Sequence, residues 1–289
     1  MAVPIGTRIP PKLAAQGIES VVTWAKSIGL TALDLPENFA EGARLCREHG
    51  LRIGTVDGAG AGRLISTDTH KREQAVARLI EQIGGMPAAG ARLVFLCLVP
   101  EDRTQKIADS LAIYRETFPE IAAACETADV RIVFEGWPGP GPHYPVLGYT
   151  PETWRAMFAA VPSPALGLNY DPSHLVRLGI DYLRVLDEFK ERIYHCHGKD
   201  TTLLSEAQYR YGHLPPAFDK SPGFSEGAWR YCVPGDGAVD WGKVAFALDQ
   251  AGYDGCVSIE LEDARYWGSL EREQQGITRA YQHLVQHFN

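Results

Sequence analysis

The stretch ALGLNYDPSHLVRLG (165–179) changes character at its midpoint. Its first half is an apolar run that ends in Asp171, and Pro172 then opens a segment whose apolar residues have helical spacing. Aspartate is favoured immediately before a helix, and proline fits the first helical turn. The stretch therefore predicts a buried β-strand that leads directly into an α-helix, with Asp171 as its cap and His174 one turn later.

This strand-to-helix pattern is predicted eight times along the chain of 289 residues. The predicted strands span 3–8, 31–36, 51–58, 91–99, 130–137, 165–171, 192–200 and 255–263. The predicted helical segments span 19–29, 41–50, 69–85, 104–128, 150–161, 173–190 (in two parts), 239–252 and 269–288. Eight consecutive βα units favour a single-domain α/β fold over 1–289, the (β/α)8 TIM barrel. A doubly wound sheet is the alternative, but no GxGxxG motif follows the first predicted strand.

Two loops stand out from this regular pattern. The segment at about 201–238 is a long loop insertion after the seventh predicted strand, rich in glycine, proline and aromatic residues. Long insertions in compact folds are usually functional, so we expect it to form a lid or a pocket wall in which Trp229 contributes to substrate binding. The segment GAGAGR (58–63) lacks the lysine and hydroxyl residue of a P-loop. We interpret it as a flexible loop, with phosphate binding as the alternative.

The composition limits the classes of function. Hydrophobic residues make up 45% and charged residues 22% of the chain, which is typical of a globular protein. A net charge of −8 argues against nucleic acid and against a membrane surface as partners. The six cysteines form no CxxC motif, and no apolar stretch is long enough to span a membrane. We expect a soluble, cytoplasmic protein, and a homo-oligomer remains open.

Polar residues at the predicted strand ends need an explanation, because the active site of a TIM barrel lies there. Glu135, Asp171, His197 and Glu260 occupy the ends of four consecutive predicted strands. Bare carboxylates at an apolar barrel mouth are costly unless they pair or bind a cation. We predict that these four side chains hold one divalent metal ion, with Mn²⁺ preferred and Mg²⁺, Co²⁺ or Zn²⁺ as alternatives. His195 shares a strand face with His197 but lies deeper, so it is either a further ligand or a packed supporting residue.

Three further residues are candidates for substrate binding. His174 follows Asp171 by one helical turn and overhangs the same mouth, although an ordinary surface histidine is the alternative. Lys199 has the strand parity of His197 and could reach a substrate oxygen, or it is a solvated loop lysine. Trp137 lies two residues beyond Glu135, where it would stack on a sugar ring or simply pack.

Five motifs in the second part of the chain resemble those of a known superfamily. They are FEGW (134–137), NYDPSHL (169–175), HCHGKD (195–200), WRYCVPGDGAVDW (229–241) and GYDGCVSIELED (252–263). In this order, and at strand ends, they are similar to the sugar phosphate isomerase/epimerase superfamily, which comprises the xylose-isomerase-like or AP-endonuclease-2-type TIM barrels. The resemblance covers roughly residues 85–289, whereas the first 85 residues match only in pattern.

The resemblance implies a divalent metal ion held by Glu135, Asp171, His197 and Glu260. In the ketose 3-epimerase branch, the two glutamates also act as an acid/base pair on opposite sides of the substrate. His174 matches a substrate-contacting histidine. Arg230 corresponds to a substrate-binding arginine, although the insertion before it is longer than in the epimerases. The same barrel hosts inosose dehydratases, hydroxypyruvate isomerases, deglycosidases of 3-keto C-glycosides and DNA repair endonucleases, so the motifs define a site better than a substrate.

Proton transfer is the chemistry that such a site supports. A carbonyl and a hydroxyl that chelate one metal ion acidify the C–H between them, because the ion stabilises an ene-diolate, and Glu135 and Glu260 could exchange the proton. We therefore predict a metal-dependent isomerase or epimerase of a small carbohydrate, a sugar or keto-sugar. A lyase or dehydratase that begins with the same proton abstraction is the alternative. A DNA endonuclease would need a multi-zinc site and a basic groove. The intact ligand set argues against a non-catalytic carbohydrate-binding or partner subunit.

Overall fold

Eight parallel strands close into a barrel in the computed structural model, which describes residues 3–221 and 223–288. The barrel strands are β1 (Ile5–Thr7), β2 (Ala32–Leu35), β3 (Arg52–Asp57), β4 (Leu93–Leu96), β5 (Arg131–Glu135), β6 (Leu166–Tyr170), β7 (Ile193–Gly198) and β10 (Val257–Ile259). Successive barrel strands are adjacent, and β1 pairs with β10 to close the barrel. The predicted TIM barrel is confirmed.

Helices connect successive barrel strands, as parallel strands require. The α-helices of the described residues are α1 (Pro11–Ala14), α2 (Ile18–Ser27), α3 (Ala40–His49), α4 (Thr69–Ala89), α5 (Ile107–Ala128), α6 (Pro151–Ala160), α7 (Pro172–Leu178), α8 (Tyr182–Phe189), α9 (Ser205–Tyr211), α10 (Trp241–Gln250) and α11 (Leu270–Leu284). The predicted helical segment 173–190 divides at Gly179, whose φ of 71° ends α7 in the left-handed conformation. Among the described residues, no helix combines the length and apolarity needed to cross a membrane.

The insertion after β7 contains regular structure. Strand β8 (Asp200–Leu203) pairs antiparallel with β9 (Trp229–Cys232), and α9 lies between them in the chain. The seventh barrel strand therefore ends at Gly198, two residues earlier than predicted. The buried Asp200 carboxylate explains this break, because it accepts hydrogen bonds from the backbone of Thr201 and Val239 and from the Trp241 indole. These bonds tie the base of the insertion to the start of α10.

Candidate metal centre

The barrel brings the four predicted metal ligands together. Glu135 ends β5, Asp171 follows β6, His197 lies on β7 and Glu260 follows β10. His197 Nδ1 lies 3.3 Å from Glu135 Oε2, 3.3 Å from Glu260 Oε2 and 3.8 Å from Asp171 Oδ2. All four donor atoms lie within 4.8 Å of one another. These separations suit one ion bound by each donor at about 2 Å.

Hydrogen bonding around the cluster leaves donor atoms that a cation would satisfy. Asp171 is the cap of α7, and its Oδ1 accepts from the Ser173 amide at 2.8 Å. In the part of the chain that the structure describes, the other Asp171 oxygen and both ring nitrogens of His197 have no hydrogen bond of normal geometry. Unsatisfied buried polar atoms are costly. One oxygen of the Asp171 carboxylate thus caps α7, as predicted, and the other is the predicted ligand atom.

The carboxylates of the cluster favour a positive charge among them. Burial alone would lower the pKa of His197, but Glu260 and Glu135 together raise that pKa to about 9. Burial would raise the pKa of Glu260, but Lys199 and His197 outweigh it and hold the pKa well below its usual range. Burial raises the pKa of Glu135. A set of three carboxylates and one imidazole fits an oxygen-preferring divalent ion such as Mn²⁺ or Mg²⁺, and Zn²⁺ accepts the same donors.

Lys199 is buried beside the cluster and is not a solvated loop residue. Its side chain is 1% exposed, and its ammonium lies 3.1 Å from Asp171 Oδ2 and 3.0 Å from Glu262 Oε2. It also donates a short hydrogen bond to Glu260. Burial would lower the pKa of Lys199, but the surrounding carboxylates raise it well above its usual value. Lys199 therefore places a fixed positive charge beside the cluster.

His174 is also buried at the cluster, which excludes the surface alternative. Its Nε2 lies 2.8 Å from Glu135 Oε1 and 3.4 Å from Asp171 Oδ2. Its Nδ1 lies 2.5 Å from the Tyr231 hydroxyl, which accepts a hydrogen bond from Arg177 at 2.8 Å. Burial and the Lys199 charge lower the pKa of His174 to about 3. The imidazole is therefore neutral, with its orientation fixed by β9 of the insertion.

The remaining predicted substrate residues lie outside this cluster. Arg230 is next to Tyr231 on β9, and adjacent strand residues point to opposite faces. Its guanidinium lies 3.6 Å from Asp263, so the structure does not bring Arg230 to His174. Trp229 is 7% exposed and packs 4.1 Å from the Arg177 guanidinium. Trp137 is half-buried, two residues beyond the end of β5.

Two features around the cluster were not predicted from the sequence, and the first is a buried aspartate beneath it. Asp34 lies on β2, and its Oδ1 accepts from the Thr55 amide at 2.9 Å and from the Ser258 hydroxyl at 3.0 Å. Its Oδ2 lies 3.3 Å from His195 Nε2 and 3.8 Å from His197 Nε2. His195 thus faces Asp34, which favours the supporting role over that of a ligand in the four-residue cluster. The signal was an aspartate inside the apolar run TALDLP (31–36).

Arg8 and Asp57 form a second unpredicted feature, at the ends of β1 and β3. Arg8 Nη2 lies 2.9 Å from Asp57 Oδ1, and Arg8 Nε lies 3.4 Å from Glu260 Oε1. The guanidinium stacks 4.3 Å above the Phe95 ring, which itself stacks on His197 with a centroid distance of 5.4 Å. Arg8 therefore touches the Glu260 oxygen that does not face His197.

A parallel barrel with a carboxylate–histidine cluster at its strand ends, where a metal ion could bind, has the architecture of a TIM barrel enzyme. A sequence model described as xylose isomerase-like TIM barrel matches residues 12–286. The chain belongs to the xylose isomerase-like TIM barrel family, an enzyme superfamily.

Curated relatives match parts of this chain. A Bacillus subtilis (strain 168) protein, YfiH, is 37% identical over 119 residues, which are 40% of this chain and 37% of that protein. An inosose dehydratase of Lacticaseibacillus casei is 32% identical over 113 residues, 39% of this chain and 36% of the enzyme. An inosose dehydratase of Geobacillus thermodenitrificans is 36% identical over 99 residues, 34% and 30% respectively. The matched region spans well under half of each relative.

Solved structures share the fold over nearly the whole chain. The IOLI protein with a bound zinc atom superposes with a TM-score of 0.71 at 16% identity, covering 99% of both chains. The 3-keto-D-glucoside 4-epimerase YcjR from E. coli has a TM-score of 0.69 at 13% identity, covering 96% of this chain and 99% of that one. At these identities the similarity shows the common barrel.

Proposed function

We propose that this protein is a metal-dependent isomerase or epimerase of a sugar or keto-sugar, which works by proton transfer through an ene-diolate. One observation carries the proposal. Glu135 and Glu260, from separate strands, each place a carboxylate oxygen 3.3 Å from the same His197 nitrogen. Two carboxylates that converge on one position can remove a proton from a bound carbon and return it.

The cluster fits the metal ion that this chemistry needs, with Mn²⁺ as our proposed ion. Glu135, Asp171, His197 and Glu260 would hold it. A divalent ion there would acidify the C–H bond between a carbonyl and a hydroxyl of the substrate. Elemental analysis of protein purified without a chelator tests this part, and fully active metal-free protein would contradict it.

The side chains around the cluster have separate roles in the proposal. Glu260 acts as the base, because Lys199 and His197 keep its carboxylate ionised. Glu135, the other glutamate of the cluster, returns the proton. The neutral His174, fixed by Tyr231, orients a substrate oxygen. General acid–base groups of this kind typically contribute about 10²–10⁴ in rate.

Turnover in D₂O tests the proton transfer. Wild-type protein should place deuterium on the carbon next to the substrate carbonyl, seen by NMR. Glu260→Gln removes the basic oxygen and keeps the size, so the chemical step should fall by about 10²–10⁴-fold. Glu262→Gln is the matched control, because Glu262 contacts Lys199 without belonging to the four-residue cluster. Wild-type product without deuterium would defeat the mechanism.

A lyase or dehydratase is the second candidate. Two observations favour it: the similarity to inosose dehydratases and the buried Lys199 ammonium beside Glu260. After the same proton removal, an elimination needs a group that stabilises the charge on the departing oxygen, and the Lys199 ammonium could donate a hydrogen bond to that oxygen. Product mass separates the two candidates, because a dehydratase product loses the mass of one water and an epimerase product keeps the mass of its substrate.

A further inference from the structure

Side chains that border the cluster differ in their exposure to solvent. On the side of β6 and β7, where β9 of the insertion covers the site, Asp171 and Lys199 have side-chain exposures of 0% and 1%. On the side of β1 and β3, Arg8 is 24% and Asp57 is 39% exposed, and Glu260 between the two sides is 18% exposed. Arg8 and Asp57 are therefore accessible side chains beside Glu260, so a substrate bound at Glu260 would lie next to them.

Arg8 and Asp57 are held rigidly on that open side. The Arg8 guanidinium is fixed by the Asp57 carboxylate at 2.9 Å, by Glu260 at 3.4 Å and by the Phe95 ring beneath it. The backbone around Asp57 is also fixed, because its carbonyl accepts a hydrogen bond from Gln82 at 2.9 Å. The pair therefore offers a positioned set of donors and acceptors beside the proposed base.

A cavity of about 170 Å³ opens next to this pair. Its polar wall is formed by Arg8, Asp34 and Asp57, and its apolar wall includes Ile9, Ile18 and Leu35. A concave space with a few fixed polar groups against an apolar surface is typical of a small-molecule site. A polyhydroxylated chain or ring has the same division, with hydroxyls on its edges and C–H groups on its faces.

We infer that Arg8, Asp57 and this cavity form a subsite that binds an uncharged, hydroxyl-rich part of the substrate. Carboxylate oxygens of Asp57 accept from hydroxyls, and guanidinium N–H groups of Arg8 donate to them. An anionic group such as a phosphate would instead meet the negative charges of Asp34, Asp57 and Glu260, while Arg8 is already shared between two carboxylates. The inference rests on the proposed function in taking the substrate to be a carbohydrate, and it adds that this carbohydrate is not phosphorylated.

Binding of a matched pair of unreactive probes tests the subsite. Isothermal titration of Mg²⁺-loaded protein with D-sorbitol and with D-sorbitol 6-phosphate compares ligands that differ by one phosphate. We expect sorbitol to bind at least tenfold more tightly than its phosphate. Asp57→Asn should weaken sorbitol binding by about tenfold or more, as for a lost hydrogen bond to a charged group. Arg8→Lys, which keeps the charge but loses the planar fork, should weaken it as well.

Asp102→Asn is the control, because Asp102 is an exposed carboxylate that binds Thr104 in the loop after β4. It should bind sorbitol like the wild type. Circular dichroism melts show whether each variant is folded, and Arg8→Lys decides the matter if Asp57→Asn does not fold. Tighter binding of the phosphate, no binding of sorbitol to the wild type, or unchanged binding in folded variants would overturn the inference. If deuterium is incorporated but the subsite test fails, the proposed function stands and the subsite is rejected. If the subsite test succeeds but no deuterium is incorporated, only the proposed function is rejected.

Discussion

Replacing Lys199 with methionine should destabilise the metal-free protein, because the change removes the one ammonium that the structure places among Asp171, Glu260 and Glu262. Methionine has a similar length and no charge. Removing one partner of a buried ion pair costs about 3–5 kcal/mol, since the other charge stays buried. For a chain of roughly this length, a loss of about 1 kcal/mol in the free energy of unfolding lowers the Tm by about 2–4 °C. We therefore expect a drop on the order of 10 °C, measured by thermal or urea unfolding in EDTA.

The sign of the pH dependence follows from the two shifted pKa values. The pKa of Lys199 is raised in the folded protein, so its contribution is present at neutral pH and is lost only as the pH rises through the folded pKa. The pKa of Glu260 is lowered, so its contribution is present above the unfolded value of about 4.3 and is lost as the pH falls through the folded pKa. The difference between wild type and Lys199→Met should therefore be largest near pH 7 and shrink in acid.

A divalent ion should rescue the variant. With Lys199 gone, Mn²⁺ would meet the same carboxylates without a competing ammonium, so saturating Mn²⁺ should raise the Tm of Lys199→Met more than that of the wild type. Lys243→Met is the control, because Lys243 is 68% exposed and pairs with Asp240 at the surface, where such pairs contribute less than about 1 kcal/mol. Equal stability of wild type and Lys199→Met in EDTA, or a variant that does not respond to metal, would refute this account.

Four other substitutions test the cluster and its surroundings. His197→Ala should abolish stoichiometric metal binding, whereas Asp34→Asn, which alters the partner of the histidine, should weaken it by about 10–100-fold; chelator competition measures both. Trp229→Ala should cost about 3–5 kcal/mol in urea unfolding because the ring is buried against Arg177, and an unchanged midpoint would contradict that packing. Tyr231→Phe should lower kcat/KM about tenfold or more with metal content unchanged, since His174 loses a hydrogen-bond partner; full activity would remove Tyr231 from the site.

The barrel was predictable because its signals are local. Each βα unit shows an apolar strand followed by a helix with its own cap or stop, as at Asp171 and Gly179. Strand ends were less predictable. The sequence 192–200 looks continuous, but the chain turns after Gly198, since Asp200 binds backbone groups near Val239 that lie far along the sequence. Such a tertiary bond leaves no trace in a local pattern.

The grouping of the four candidate ligands was predictable for a related reason, whereas the residues around them were not. Its four residues lie at the ends of apolar runs, where a charged side chain is conspicuous. Arg8 follows a three-residue strand, and its contact with Glu260 depends on the pairing of β1 with β10, the first and last strands of the barrel. Arg177 lies on a helix, where an arginine is usually at the surface, yet it is buried against Tyr231. These contacts need the closed barrel and the folded insertion.

The balance of charge at the mouth connects the metal site with the substrate inferred for it. The positive charge of Lys199 offsets the negative charge of Glu262, and that of Arg8 offsets Asp57, because the charged atoms of each pair lie within 3.0 Å of each other. The carboxylates of Glu135, Asp171 and Glu260 then remain, and a divalent ion offsets two of these three negative charges. One carboxylate therefore stays ionised, as the base of the proposed reaction must be. The same residual charge would repel an anionic substrate, so the charge balance that we propose for proton abstraction also supports the inferred neutral carbohydrate.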